Sequence, residues 1–121
     1  MNQIIASFAL LVSLTAPAAA EVRLLMAEER GCIYCARWNA EIAPAYPKTP
    51  EGQAAPLARY DLHADEPPAR IAYSVRYTPT FILVRDGVEL SRIEGYPGED
   101  FFWGLLGQML SDADISTEDT P

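Results

Sequence analysis

The sequence predicts a single α/β domain in which strands and helices alternate, and three observations predict it. An apolar run, Val22 to Ala27, leads through a turn into Gly31-Cys32-Ile33-Tyr34-Cys35 and a stretch with helical spacing. Two β-rich runs, Thr80 to Val84 and Val88 to Ile93, flank Asp86-Gly87, a strong two-residue hairpin signal. After Gly95-Tyr96-Pro97-Gly98 turns the chain, Phe102, Leu105, Leu106, Met109 and Leu110 form an apolar stripe at helical spacing.

Residues 1–20 form the first segment. Ile4 to Leu14 is an apolar run of signal-peptide length, and Ala18-Ala19-Ala20 before Glu21 fits a small-residue cleavage site. The run is shorter than the roughly 20 residues a spanning helix needs. The leading Met1-Asn2-Gln3 lacks Lys or Arg, which leaves an uncleaved N-terminal anchor as the competing reading. No cysteine lies near the cleavage point, which argues against a lipoprotein. Export places the chain in an oxidising compartment such as a bacterial periplasm.

Residues 21–110 then hold one domain with a single core. Val22 to Ala27 is a buried strand, and Glu28 to Gly31 turns the chain toward the cysteines. A helix is expected from Cys32 to about Ala43, with Cys35, Trp38, Asn39 and Ile42 on one face and Arg37 and Glu41 as an exposed i, i+4 pair. Pro44 ends it. Pro44 to Pro56 holds four of the ten prolines and reads as a surface connection with a short helix near Thr49 to Ala55. Leu57 to Leu62 is the second strand. Asp65-Glu66-Pro67-Pro68 reads as a helix start leading into Ala69 to Tyr73. Glu99-Asp100 opens the last helix, in which Gly104 and Gly107 each cost about 1 kcal/mol relative to Ala. Residues 111–121, with Asp112, Asp114, Glu118 and Asp119, read as a disordered acidic tail.

The chain carries 17 acidic against 9 basic residues, a formal charge of -8, and no Lys/Arg cluster. That balance argues against nucleic acid and anionic lipid surfaces as partners.

Cys32 and Cys35 are the only cysteines. With Cys32 at a helix start, two intervening residues bring the second sulfur within reach of the first. There the Cys32 thiolate faces unpaired N–H groups and the positive end of the helix dipole, which lower its pKa and make it the nucleophile. Cys35, one turn inward, is the resolving thiol. Three other readings compete. Zinc needs about four N or S ligands, and the chain offers two thiols and one histidine, His63. Haem attachment needs His after the second Cys, where Ala36 stands. A purely structural disulfide would close too short a loop to remove much chain entropy. The pair therefore reads as a redox-active disulfide, with no metal or organic cofactor required.

The order strand, dithiol helix, strand, helix, strand, hairpin strand, helix resembles the thioredoxin fold, a central mixed β-sheet flanked by helices with CxxC at a helix N-terminus. Tyr60-Asp61, Ala72-Tyr73, Val75-Arg76-Tyr77-Thr78-Pro79-Thr80-Phe81, Asp86-Gly87 and Gly95 carry the resemblance through the second half of the chain. It implies that Pro79 is cis and lies beside the dithiol, and that Thr78 offers its backbone to a bound substrate strand. More narrowly, Gly31 to Trp38, Glu41-Ile42-Ala43-Pro44, Tyr46-Pro47 and Glu94-Gly95-Tyr96-Pro97-Gly98-Glu99-Asp100-Phe101-Phe102-Trp103 resemble the SoxS type, periplasmic thioredoxins that accompany bacterial sulfur-oxidation systems. That resemblance implies a monomeric reductase that keeps the SoxYZ sulfur carrier active and is itself recharged by a membrane electron donor of the CcdA or DsbD kind.

Departures from ordinary thioredoxin bear on mechanism. Gly31 replaces the usual Trp and Ile33-Tyr34 replaces Gly-Pro, so the potential and the docking surface, to which Ile33 and Tyr34 are assigned, need not be thioredoxin's. Met26 stands where thioredoxins bury an Asp that helps deprotonate the resolving thiol; Glu28, Glu29, Tyr34 or water are the candidates to replace it, and solvated carboxylates are the simpler reading of the two glutamates. Trp38 reads as core. Phe101, Phe102 and Trp103 exceed what one helix face can bury, and His63 reads as a surface or capping residue. The competing functions are a thiol oxidant or isomerase, and a non-catalytic binding module that uses the Pro79 groove.

Overall fold

The computed structural model describes residues 11–15 and 20–118. The signal-peptide expectation therefore falls largely outside the described residues, in which no helix is long and apolar enough to cross a membrane. Strands β1 (Val22–Glu28), β2 (Leu57–Asp61), β3 (Thr80–Arg85) and β4 (Val88–Glu94) form one sheet in the order β2-β1-β3-β4. β2 runs parallel to β1, while β3 is antiparallel to both β1 and β4. Helices α1 (Ile33–Glu41) and α2 (Pro50–Ala54) lie in the β1 to β2 crossover, and α3 (Glu99–Asp112) follows the sheet.

Leu24, Leu25, Met26 and Ala27 of β1 are all apolar and buried because both faces of the sheet are covered there. Leu24, Met26, Phe81, Leu83 and Ile93 point to the main core, where Trp38, Phe102 and Leu106 meet them. The alternate residues Leu25, Ala27, Tyr60, Ile82 and Val84 form a second cluster on the opposite face. Trp38 is fully buried and packs on Phe81 with ring centroids 5.1 Å apart, which makes it core, as the sequence indicates. The hairpin turn has Asp86 and Gly87 at φ 51° and 77°, the paired positive angles that a type I′ turn requires and that Asp-Gly tolerates.

Side-chain hydrogen bonds build the connection from α1 to β2. Thr49 Oγ1 accepts the Gly52 N–H at 3.0 Å and donates to the Tyr46 carbonyl at 2.8 Å, which caps α2 with Pro50 as its first residue. Tyr46, buried, donates its hydroxyl to the Ala55 carbonyl at 2.6 Å and stacks on Trp103.

The helix expected over Ala69 to Tyr73 does not form. Asp61 Oδ1 accepts the N–H groups of His63 and Ala64, and Asp65 Oδ2 accepts the Asp61 N–H, so both carboxylates close a turn instead of capping a helix. Beyond Pro67-Pro68 the chain runs as an extended strap beside β4: Arg70 donates its N–H to the Gly87 carbonyl at 2.7 Å and accepts from Glu89 at 3.0 Å. Ala69, Ile71 and Val75 cover the second cluster, the burial a helix would otherwise supply. Arg92 and Glu89 lock the strap. Their side chains are 5% and 6% exposed and 2.6 Å apart; Arg92 also donates to the Tyr73 carbonyl, and Glu89 accepts the Ala72 N–H.

The C-terminal boundary also moves. Ser111 and Asp112 complete α3, Ile115 packs against the core, and Arg85 donates to the Ala113 carbonyl, so the start of the expected acidic tail belongs to the domain. Asp119 lies outside the described residues.

Candidate active site

Gly31, at φ 81°, turns the chain from β1 so that Cys32 becomes the N-cap of α1. Cys32 Sγ accepts the Cys35 N–H at 3.1 Å, the position a Ser or Asp oxygen takes in an ordinary cap. Cys32 and Cys35 are joined in a disulfide. Their exposures differ in the sense the chemistry needs: Cys32 is half-buried, and Cys35 is 4% exposed against the core. Opening the disulfide would thus leave the outer sulfur at the helix N-terminus, where unpaired N–H groups stabilise a thiolate.

Of the other residues singled out in the sequence, Ile33 and Tyr34 extend into solvent at 74% and 55% exposure. Tyr34 lines a groove of about 660 Å³ together with Tyr77, Thr78, Gly95, Tyr96 and Pro97. The Thr78-Pro79 peptide is cis; Pro79 is buried, and its carbonyl accepts the Gly95 N–H at 2.7 Å, which ties the loop before β3 to the end of β4. The structure thus brings Tyr34 and Thr78 to one groove, whereas Ile33 stands outside it. Ile33 instead borders a second hollow of about 380 Å³ that contains both cysteines with Glu28, Glu29 and Asn39.

The neighbourhood of Met26 is resolved in side-chain terms. Met26 is fully buried, and Arg59 reaches across it, 3.6 Å from its sulfur, to pair with Glu28 at 2.7 Å and donate to Asn39 at 2.8 Å. The guanidinium also lies 5.6 Å from the Trp38 ring centroid. Glu28 is therefore held in an ion pair. Glu29 is held differently: Thr78 Oγ1 donates to its Oε1 at 2.6 Å, and His63 Nε2 lies 2.5 Å from its Oε2. The Thr78 hydrogen bond, with the His63 contact second, keeps the Glu29 carboxyl below the usual range. Neither glutamate is simply solvated, and His63 is a partner of Glu29. Arg59 escaped the sequence reading, because its partners lie 20 and more residues away and nothing local marks it.

Among the described residues, no group of three or more His, Cys, Asp or Glu is placed to hold a metal ion.

A Cys-x-x-Cys disulfide capping the first helix of this sheet defines a thiol-disulfide oxidoreductase. The chain belongs to the thioredoxin-like domain family, whose profile matches residues 14–110, and the family's chemistry resides in its cysteine pair. It is 54% identical to the periplasmic thioredoxin SoxS from Paracoccus pantotrophus, solved in its reduced form, with a TM-score of 0.74 over 77% of this chain and 99% of that one. Fasciola hepatica thioredoxin is 26% identical with a TM-score of 0.56, covering 74% of this chain and 81% of that one. Thioredoxin-2 of a malaria parasite, at 22% identity and TM-score 0.57 over 78% and 89% of the two chains, shares the fold. No curated protein sequence matches the chain.

Proposed function

We propose that the chain is a periplasmic, monomeric reductase of protein disulfides. The observation that carries the reading is the asymmetry of the pair, a half-buried Cys32 at the helix N-cap over a buried Cys35. In the dithiol form, Cys32 thiolate attacks a disulfide on the partner. A Cys32-to-partner S–S bond forms, the partner's own S–S bond breaks, and its departing thiolate takes a proton. Deprotonated Cys35 then attacks Cys32 Sγ, re-forming the Cys32-Cys35 disulfide and expelling the second partner sulfur as a thiolate. Two electrons pass to the partner, which leaves as two thiols. A sulfur adduct on a single partner cysteine is released by the same two attacks.

Thr78 and Pro79, with Tyr34 across the groove, form the docking side, and the Thr78 backbone pairs with the partner's extended segment. Ile33, exposed beside the cysteines, widens that surface. The substrate is a protein disulfide or sulfur adduct. Likeness to SoxS supports the SoxYZ carrier of sulfur-oxidation systems as that substrate. A periplasm is oxidising, so the dithiol is regenerated by a membrane electron donor of the CcdA or DsbD kind. The test is to incubate purified Cys35→Ser protein with oxidised SoxYZ. Accumulation of a reductant-sensitive covalent adduct through Cys32 supports the reading, and absence of the adduct, with wild-type protein failing to reduce the carrier, contradicts it.

A further inference from the structure

Three segments that are distant in sequence converge on one carboxylate. Glu29 directly follows β1, three residues before Cys32, and its carbonyl accepts the Cys32 N–H at 3.3 Å. Its Oε1 accepts the hydroxyl of Thr78, 49 residues away, at 2.6 Å. Its Oε2 lies 2.5 Å from Nε2 of His63, in the turn after β2. The same residue borders the hollow that contains both cysteines. The loop that carries Thr78 is tied to the end of β4 through the Pro79 carbonyl and closed on itself by the Thr80 hydroxyl on the Tyr77 carbonyl, and the Thr78 hydroxyl joins it to the backbone segment that leads into the dithiol.

We propose that Glu29 is a positioning residue for substrate docking: by accepting the Thr78 hydroxyl it fixes the Thr78-Pro79 loop relative to Cys32, with His63 holding the second oxygen and so the rotamer of the carboxylate. The proposal rests on the docking role given to Thr78 above. It acts on the geometry in which a partner disulfide meets Cys32, because a partner strand paired to the Thr78 backbone presents its sulfur to Cys32 only if the two loops keep a fixed offset. Charge is not required for this: an amide oxygen at position 29 accepts the same hydroxyl. Two segments are held by one side chain, so the contributions of Glu29 and Thr78 are one interaction counted from either end.

The test measures steady-state reduction of a protein disulfide, with insulin as the probe, for Glu29→Ala, Thr78→Val, the double variant and Glu29→Gln. The expected result is a KM raised about three- to tenfold by either single change, no further rise in the double variant, and a KM near wild type for Glu29→Gln. A Glu29→Ala protein with unchanged KM, multiplying losses in the double variant, or a Glu29→Gln protein as impaired as Glu29→Ala overturns the proposal. Amide hydrogen exchange over residues 76–80 reads the loop without turnover. Faster exchange in Glu29→Ala than in Glu29→Gln supports the positioning role even if insulin is not reduced, and equal exchange in wild type and Glu29→Ala contradicts it. Failure of wild type to reduce any protein disulfide counts against the reductase reading instead.

Discussion

Cys32 Sγ accepts the backbone N–H of Cys35 at 3.1 Å, so the outer cysteine is both a partner in the disulfide and the cap of the helix that follows it. Its sulfur is already placed where a helix N-terminus stabilises negative charge. Cys32→Ser should show no detectable disulfide exchange, whereas Cys35→Ser should form mixed disulfides and fail to release them. Thiol trapping followed by mass spectrometry checks both, and a fully active Cys35→Ser protein contradicts the resolving role.

Glycines in α3 and α2 should respond in opposite senses. A Cβ at Gly104 or Gly107 meets nothing within 4 Å, so these glycines are tolerated and not demanded by packing. Gly104→Ala and Gly107→Ala should each stabilise the domain by about 1 kcal/mol, a rise in Tm of about 4–8 °C. At Gly52 a Cβ would stand 1.7 Å from the Tyr46 carbonyl oxygen, and Gly52→Ala should cost about 1–3 kcal/mol. Thermal unfolding of the three variants measures all of this.

The buried Arg92-Glu89 pair should make stability acid-sensitive. Burial works to raise the Glu89 carboxyl, but the Arg92 hydrogen bond, the Ala72 N–H and the Arg92 charge outweigh it, and the group titrates below its ordinary 4.5. A depressed folded value means the contribution is complete above about pH 4.5 and is lost as pH falls through the lowered value. Wild type should therefore exceed Glu89→Gln in Tm at pH 7, and the gap should close in strong acid. Arg92→Ala, which leaves Glu89 buried and unpaired, should cost about 3 kcal/mol at neutral pH. A pH-independent gap contradicts the assignment.

Processing after Ala20 would create an α-amine at Glu21, whose nitrogen lies 2.9 Å from Asp86 Oδ1. The mature chain purified from a periplasm should begin at Glu21 by intact mass, and Asp86→Asn should lower its stability by less than about 1 kcal/mol, as for an exposed ion pair. Retention of residues 1–20 contradicts cleavage.

What the sequence made legible was whatever local chemistry determines. The β1 run, the cysteine-capped helix, Thr49 before Pro50, the Asp86-Gly87 turn and the α3 stripe each carry their own signal, and each forms where that signal stands. Ala69 to Tyr73 failed because its structure is set from outside. Arg70 finds its hydrogen-bond partners in Gly87 and Glu89, and Arg92 locks Tyr73, across distances that periodicity does not encode. The same holds at the site. The cysteines announced themselves by spacing, but the engagement of Glu28 by Arg59 and of Glu29 by Thr78 and His63 exists only once β1, β2 and the loop before β3 have been brought together. The α3 stripe is one residue narrower than its spacing predicts: Leu105 is 44% exposed, while Phe102, Leu106, Met109 and Leu110 are buried, and Phe101, at 70% exposure, is the aromatic that the helix face leaves out.

The direction of electron flow separates a reductase from an oxidant, and the equilibrium reduction potential of the Cys32-Cys35 pair measures it. Titration of the purified domain against dithiothreitol or glutathione, with thiol alkylation as the readout, should give a potential at or below about -250 mV, that of a reductase kept charged by a membrane donor. A potential above about -150 mV would make the protein a thiol oxidant and contradict the account.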